Sequence, residues 1–398
     1  MNAHTILNKM LSAVTPNMHK TRRTAVSACV FSLMRGASAT VTGIGRGIAG
    51  RALEKHNIKR ADRLCSNSHL LSELPGVYGA ISRYVVGQNA QPVILVDWSD
   101  LDEYKRHFLL RASLVFKGRA ITLYQEVHTV KTKEKPATHQ AFLTRLKAIL
   151  GEACQPVIVT DAGFKTPWFR QVRALGWHFV GRSRKPNYYQ TGQQDWQCIS
   201  TLYPSATGNP HCFEARLCRN HPLDCRLVLY KSSAKGRKDI NRYGQPRRSH
   251  KSLTYAKRSI DPWLLCTSLP AGHALGKQVV KIYQSRMQIE EGFRDMKSRQ
   301  YGLGFEQNKT LSRGRLSILI LLSTLASLVL MMAGLIAQTA HWHRRYQANT
   351  TSHRPVLSLH FLGLRVIADK RFSFGRRLWF QAMERFKYYL SEISYEMA

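Results

Sequence analysis

From Leu316 to Ala337 the chain carries no charged side chain, although it holds 60 Lys and Arg against 24 Asp and Glu, a formal net charge of +36. As a helix at about 1.5 Å per residue, that run spans roughly 33 Å and must be hidden from water. It either crosses a bilayer or forms the axis of a large core. Ser317, Ser323, Thr324 and Ser327 interrupt it. The flanking cations, Arg313 and Arg315 before it and His341, His343, Arg344 and Arg345 after it, favour neither side. A lone span of this kind fits a buried helix in a multi-domain protein better than an anchor, so no membrane partner is expected.

The remainder of the chain is strongly basic. A compact body at +36 repels itself unless it meets a polyanion, which points to nucleic acid or an anionic membrane surface. With 44% apolar and 21% charged residues, wholesale disorder is excluded, and 398 residues suggest two or three domains. Met1 to Thr15 has no long apolar core and no small-residue cleavage site, so reduced thiols in the cytoplasm are expected for the eight Cys. Cys212, Cys218, His221 and Cys225 cluster in sequence, but their spacing matches no common zinc motif.

Residues 1–90 read as short helices, with a glycine-bearing unit from Thr40 to Arg51 before His56 to Arg60. From Pro92 the texture changes. Pro92 to Asp97 is an apolar run ending in an acid, followed by strand-like His107–Phe116 and Ala120–Tyr124 across a Lys117-Gly118 turn. His139–Leu150 reads as a helix, Pro156–Asp161 repeats the first apolar run, Thr166–Leu175 is helical, and Trp177–Gly181 is another strand. That order implies a mixed sheet with helices on its faces. Beyond about 185 helical periodicity disappears, and Lys231–Arg258 carries a dense run of basic residues. Trp263–Thr267 then precedes a single helix expected over Gly276–Arg299.

Three carboxylates carry the chemical argument. Asp97 and Asp161 are each expected to end an apolar strand, at the sheet edge where α/β sites form. On the expected single helix, Tyr283, Arg286, Glu290 and Lys297 fall within roughly a 60° arc, beside an apolar stripe of Ile282, Ile289, Phe293 and Met296. Hard divalent cations want carboxylate and phosphate oxygens. Two such ions about 4 Å apart clamp the attacking and leaving oxygens of a phosphodiester.

The spacing Tyr283, Arg286, Glu290, Lys297 resembles the signature of the insertion-sequence-four family of transposases, a branch of the DDE recombinases. Further agreement lies at residues 56–64, 94–100, 159–168, 228–238 and 283–298, with YGLG just after. The resemblance implies an α/β fold: a ribonuclease-H-like mixed-sheet core with a strand-rich insertion, a helical N-terminal DNA-binding domain and a helical C-terminal region. The corresponding parts are 1–90 for DNA binding, 91–184 and 259–305 for the core, 185–258 for the basic insertion, and 306–398 for dimerisation. It implies Asp97, Asp161 and Glu290 as the catalytic, metal-binding triad for Mg2+, with Mn2+ as a substitute. It implies DNA contacts from Tyr283, Arg286 and Lys297, stacking of a flipped base on Trp263, and Met287 probing the vacated space. The implied partners are double-stranded DNA, as inverted-repeat ends and target, and a second copy of the chain in the synaptic complex, with the protein nucleoid-associated in a bacterial cytoplasm. Two other readings stand beside it: a metal-dependent nuclease without strand transfer, and a non-catalytic basic DNA-binding protein.

Overall fold

The computed structural model describes residues 1–87, 89–232, 245–249, 252–253, 261–369 and 371–391. The chain divides into two compact units, one of Met1–Pro156 with Met287–Glu396, the other of Val157–Arg286. The first unit opens with α1 (Ala3–Val14), α2 (Lys20–Met34), α3 (Val41–Gly47), α4 (Glu54–Cys65) and α5 (Ser68–Val86). Asn2 and Thr5 close a reciprocal capping box on α1, and Thr40 Oγ1 caps α3 by accepting from Gly43 N at 3.0 Å. The glycines of the 40–51 stretch are there for contact. A Cβ on Gly45 would lie 2.4 Å from the Ile58 Cα, so only glycine lets α3 and α4 approach this closely. Three antiparallel strands follow, β1 (Val93–Asp100), β2 (His107–Val115) and β3 (Ala120–Thr129), in spatial order β3-β2-β1, and then α6 (Pro136–Leu150). Gly118, at φ +67°, turns the chain between β2 and β3.

The second unit begins with β4 (Val157–Thr160), α7 (Thr166–Ala174) and β5 (His178–Ser183). It continues through β6 (Tyr188–Gln190), β7 (Gln197–Cys198), β8 (His211–Leu217), β9 (Leu223–Tyr230) and β10 (Trp263–Thr267) to α8 (Leu275–Gln284). Its strand order is β4-β5-β10-β9-β8-β6-β7. The β4–β5 pair is parallel, as a helical crossover requires, and the other pairs are antiparallel. Gly181 in β5 makes room for the Phe169 ring of α7, which a Cβ would meet at 2.3 Å. Most of the basic stretch Lys231–Arg258 lies outside the described residues.

The chain then returns to the first unit with α9 (Met287–Lys297), α10 (Arg313–Thr339), α11 (Leu359–Ala368) and α12 (Arg376–Ser391). The uncharged run lies within α10, and 94% of its apolar window is buried inside the fold. Helices α1, α2, α4, α5, α9, α11 and α12 and strand β3 all pack against it. It is a core helix. Its crossing with α11 is set by a reciprocal glycine contact. A Cβ on Gly334 would stand 1.9 Å from the Leu359 carbonyl oxygen, and one on Gly363 2.0 Å from the Leu330 carbonyl oxygen.

Neither carbonyl can move without breaking its own helix. Gly363→Ala should therefore destabilise the protein by about 1–3 kcal/mol through overpacking, read as a lower urea midpoint at unchanged m-value. An unchanged midpoint would show that the two helices can separate at little cost.

Candidate functional site

In the first unit, Asp97 lies inside β1 rather than at its end. The strand continues to Asp100 because Trp98, Ser99 and Asp100 find backbone partners in Leu110, Leu109 and Phe108 of β2. The expectation of a strand terminating at Asp97 is thus corrected: the polar residues after it remain on the ladder. Asp97 is half-buried, and its Oδ1 accepts a hydrogen bond from the Trp98 amide at 2.8 Å. Helix α9 packs against β1 and β3 through buried Ile289, Phe293 and Met296, leaving Glu290 exposed. In the last turn of α9, the Lys297 ammonium donates to Ser99 Oγ at 2.7 Å. Burial pushes the Lys297 pKa down, while the nearby carboxylates of Asp100 and Asp97 oppose the shift. Met287, which opens α9, is 42% exposed.

In the second unit, Asp161 directly follows β4. Its Oδ1 accepts from the Gly163 amide at 2.8 Å, forming a turn that aims the carboxylate. A Cβ on Gly163 would meet that same oxygen at 2.9 Å, so the turn needs a small residue there. Trp263 opens β10, with its ring centroid 5.0 Å from that of Tyr283 in an edge-to-face pair and 5.9 Å from that of Tyr230, its cross-strand partner. Tyr283 is only 5% exposed. Burial raises its phenol pKa, the Arg286 and Arg182 cations lower it, and the Asp161 carboxylate raises it further. Arg286 holds its guanidinium carbon 6.0 Å from the Tyr283 ring.

Sequence reasoning missed Arg182. This buried side chain stands 6.0 Å from the Trp263 ring and donates from Nη2 to the Asp261 and Pro262 carbonyls. A signal existed, since Arg182 continues the apolar run Trp177–Gly181, which becomes β5 one residue later and extends to Ser183.

The single helix expected over 276–299 is two helices. Ser285 Oγ donates to the Ile282 carbonyl at 2.6 Å, and the Ser285 and Arg286 amides make three-residue bonds to Ile282 and Tyr283. Those tighter bonds interrupt the α-helical register. The one-face arc therefore fails: Tyr283 lies in the last turn of α8 and is buried, whereas Glu290 sits on α9 and is exposed. The Cys cluster does not converge either. Cys212 pairs with Val228 and Cys225 with Ala215, three steps apart along the β8–β9 ladder, or roughly 10 Å at the usual strand rise. Among the described residues no three His, Cys, Asp or Glu side chains form a group that could hold a metal ion. Of the three carboxylates singled out, Asp97 and Glu290 belong to the first unit and Asp161 to the second.

A family model described as the transposase DDE domain matches residues 88–329. The chain belongs to that family. The matched span takes in Asp97, Asp161 and Glu290 and ends within α10. A comparison with curated proteins gives no match. Membership makes the protein a transposase acting on DNA, which accounts for its excess of Lys and Arg.

The raised pKa of Tyr283 has a consequence for stability. The folded state keeps this phenol neutral after an unfolded tyrosine, near 10, has begun to ionise. Stability from this residue is complete below that value and is lost as pH rises through the folded pKa. Urea denaturation at pH 9 and 11 should show the wild type losing more stability than Tyr283→Phe; equal losses would mean the buried phenol ionises freely.

Proposed function

We propose that this transposase is a cut-and-paste enzyme of the insertion-sequence-four branch, resembling within it the transposase of insertion sequence ten. It binds the terminal inverted repeats of its element, frees each end through a hairpin, and joins the 3′ ends to target DNA. The reading is carried by one observation: the matched family span contains all three carboxylates, with Asp97 on a strand and Glu290 on the helix packed across it. On this reading the catalytic core is ribonuclease-H-like, formed by 91–184 and 259–305. Residues 1–90 bind the ends, 185–258 form a basic insertion, and 306–398 support a homodimer in a synaptic complex at the nucleoid.

The donor set suits Mg2+, or Mn2+ in its place, because Asp97, Asp161 and Glu290 offer only hard oxygens and none is fully buried. Such ions usually complete their shell with water and substrate phosphate, so three converging side chains are not required. When bound, the metal supplies Lewis acidity to the attacking and leaving oxygens of the phosphodiester. The protein's own residues do the rest. Asp161 is held in its turn by the Gly163 amide, and Asp97 by the Trp98 amide. Tyr283, Arg286 and Lys297 are the DNA contacts on this reading, the two cations bringing positive charge to the phosphates of the cleaved end. Trp263 offers a ring face to a base turned out of the duplex, and exposed Met287 enters the space left behind.

Incubating the protein with DNA bearing the inverted repeats that flank its reading frame, plus Mg2+, tests the whole reading. Hairpin ends and joined target products are expected; cut ends that never join would favour a simple nuclease. Asp97→Ala, Asp161→Ala and Glu290→Ala should each abolish cutting while end binding in a gel-shift assay stays nearly unchanged. Any of the three that cuts at more than a trace level leaves the triad.

Trp263→Ala should still nick but form hairpins up to about a hundredfold more slowly, since base stacking is worth roughly 1–3 kcal/mol. The nicked intermediate should accumulate on a gel. A substrate abasic at the flipped position should restore part of the rate, because no base then needs unstacking. Equal loss of both steps without abasic rescue would return Trp263 to a packing role.

A further inference from the structure

Arg111 on β2 is the register partner of Asp97 on β1, so the two side chains leave the sheet on the same face. Arg111 is only 4% exposed, and burial pushes its pKa down to about 10. Taking a cation out of water costs several kcal/mol unless its surroundings compensate. Its hydrogen bonds, however, go to an amide oxygen and a thioether. Nε donates to Gln125 Oε1 at 2.8 Å, and Nη2 to the Met296 Sδ of α9 at 3.1 Å. The guanidinium carbon also stands 4.7 Å from the Phe293 ring centroid. Behind it, the Gln125 amide donates to the Tyr78 hydroxyl of α5 at 2.9 Å and to Thr324 Oγ1 of α10 at 2.7 Å.

One planar group is therefore tied on one side to the sheet and core helix and on the other to the helix that carries Glu290. An apolar side chain would fill this volume more cheaply, but it would remove one of the polar ties that hold α9, beside those of Gln288 to the Phe116 amide, Asp295 to Arg119 and Lys297 to Ser99. The bond at Met296 and the ring contact at Phe293 add to those ties on the buried face of the helix.

We propose that Arg111 is a positioning residue that sets the height and rotation of α9 over β1, and with them the placement of Glu290 relative to Asp97. This rests on the reading of those two carboxylates as metal-holding groups. A displacement of 1 Å in such a site can lower the rate about a hundredfold.

The test compares the full-length Arg111→Met, Arg111→Lys and Met296→Leu proteins with wild type. Three readouts are used: end binding, single-turnover cleavage, and Mn2+ affinity from the electron paramagnetic resonance signal of the free ion. Arg111→Met should bind ends normally yet cleave about a hundredfold more slowly and hold Mn2+ about tenfold more weakly. Arg111→Lys should recover little, because an ammonium lacks the planar two-sided grip. Met296→Leu, which keeps the volume, should weaken Mn2+ binding in the same direction and keeps the proposal testable if Arg111→Met fails to fold.

Unchanged Mn2+ affinity in folded Arg111→Met, or in Met296→Leu, overturns the proposal. So does full recovery by Arg111→Lys, which would assign the effect to charge. The functional reading fails separately: if Glu290→Ala still cleaves, the triad is wrong whatever Arg111 does. If the triad variants are dead and Arg111→Met matches wild type, only the positioning role is lost.

Discussion

The first unit depends on burying α10. Its apolar window is hidden on every side, by the N-terminal helices α1, α2, α4 and α5, by the C-terminal helices α11 and α12, and by β3 and α9. A helix apolar all round has no solvent face to offer, so elements far apart in sequence must close over it. That requirement brings residues from both ends of the chain into one compact body. It also gives α9 a floor that includes a helix as well as strands. The reciprocal contact of Gly334 and Gly363 shows how tight the closure is, since neither position has space for a single added carbon.

The polar interior grows out of the same helix. Thr324 bonds back to the Ile320 carbonyl at 3.0 Å and also accepts from Gln125. Through Gln125 the connection reaches Arg111 and then α9. A second anchor holds α9 where Arg119 donates to the buried Asp295 at 2.7 Å and lies 3.4 Å from Glu291. Carboxylates used in this way serve the fold. Glu290, one residue before Glu291, is turned outward and remains exposed. The separation of roles along one helix follows from its 3.6-residue period.

Much of this was legible in the amino-acid order. Strands β2 and β5 fall close to where the apolar runs predicted them, because a chain of alternating or continuous apolar residues bounded by turn residues has few other stable states. The Thr40–Arg51 unit was legible as helical but not as a contact device. Gly45 lies against Ile58 for steric reasons that need the partner's coordinates. Asp97 was misplaced within its strand, because Trp98, Ser99 and Asp100 look like a turn until β2 supplies their partners. The break at Ser285 escaped notice for a similar reason. Its hydroxyl competes for the Ile282 carbonyl, a local choice that the apolar periodicity on both sides conceals.

The sequence by itself determined that an uncharged segment had to be hidden and that the basic excess had to meet a polyanion, and it singled out three carboxylates by their place on apolar strands and on a helix. These follow from composition, period and residue chemistry, which need no knowledge of neighbours. Only the tertiary structure decided that the apolar run becomes a core axis, that Tyr283 is buried while Glu290 is exposed, and that Arg111 stands beneath α9. Each of those depends on which side chain lies opposite another across an interface. Such pairings are set by packing among elements distant in the chain, where a difference of one helical turn or one strand register changes every contact.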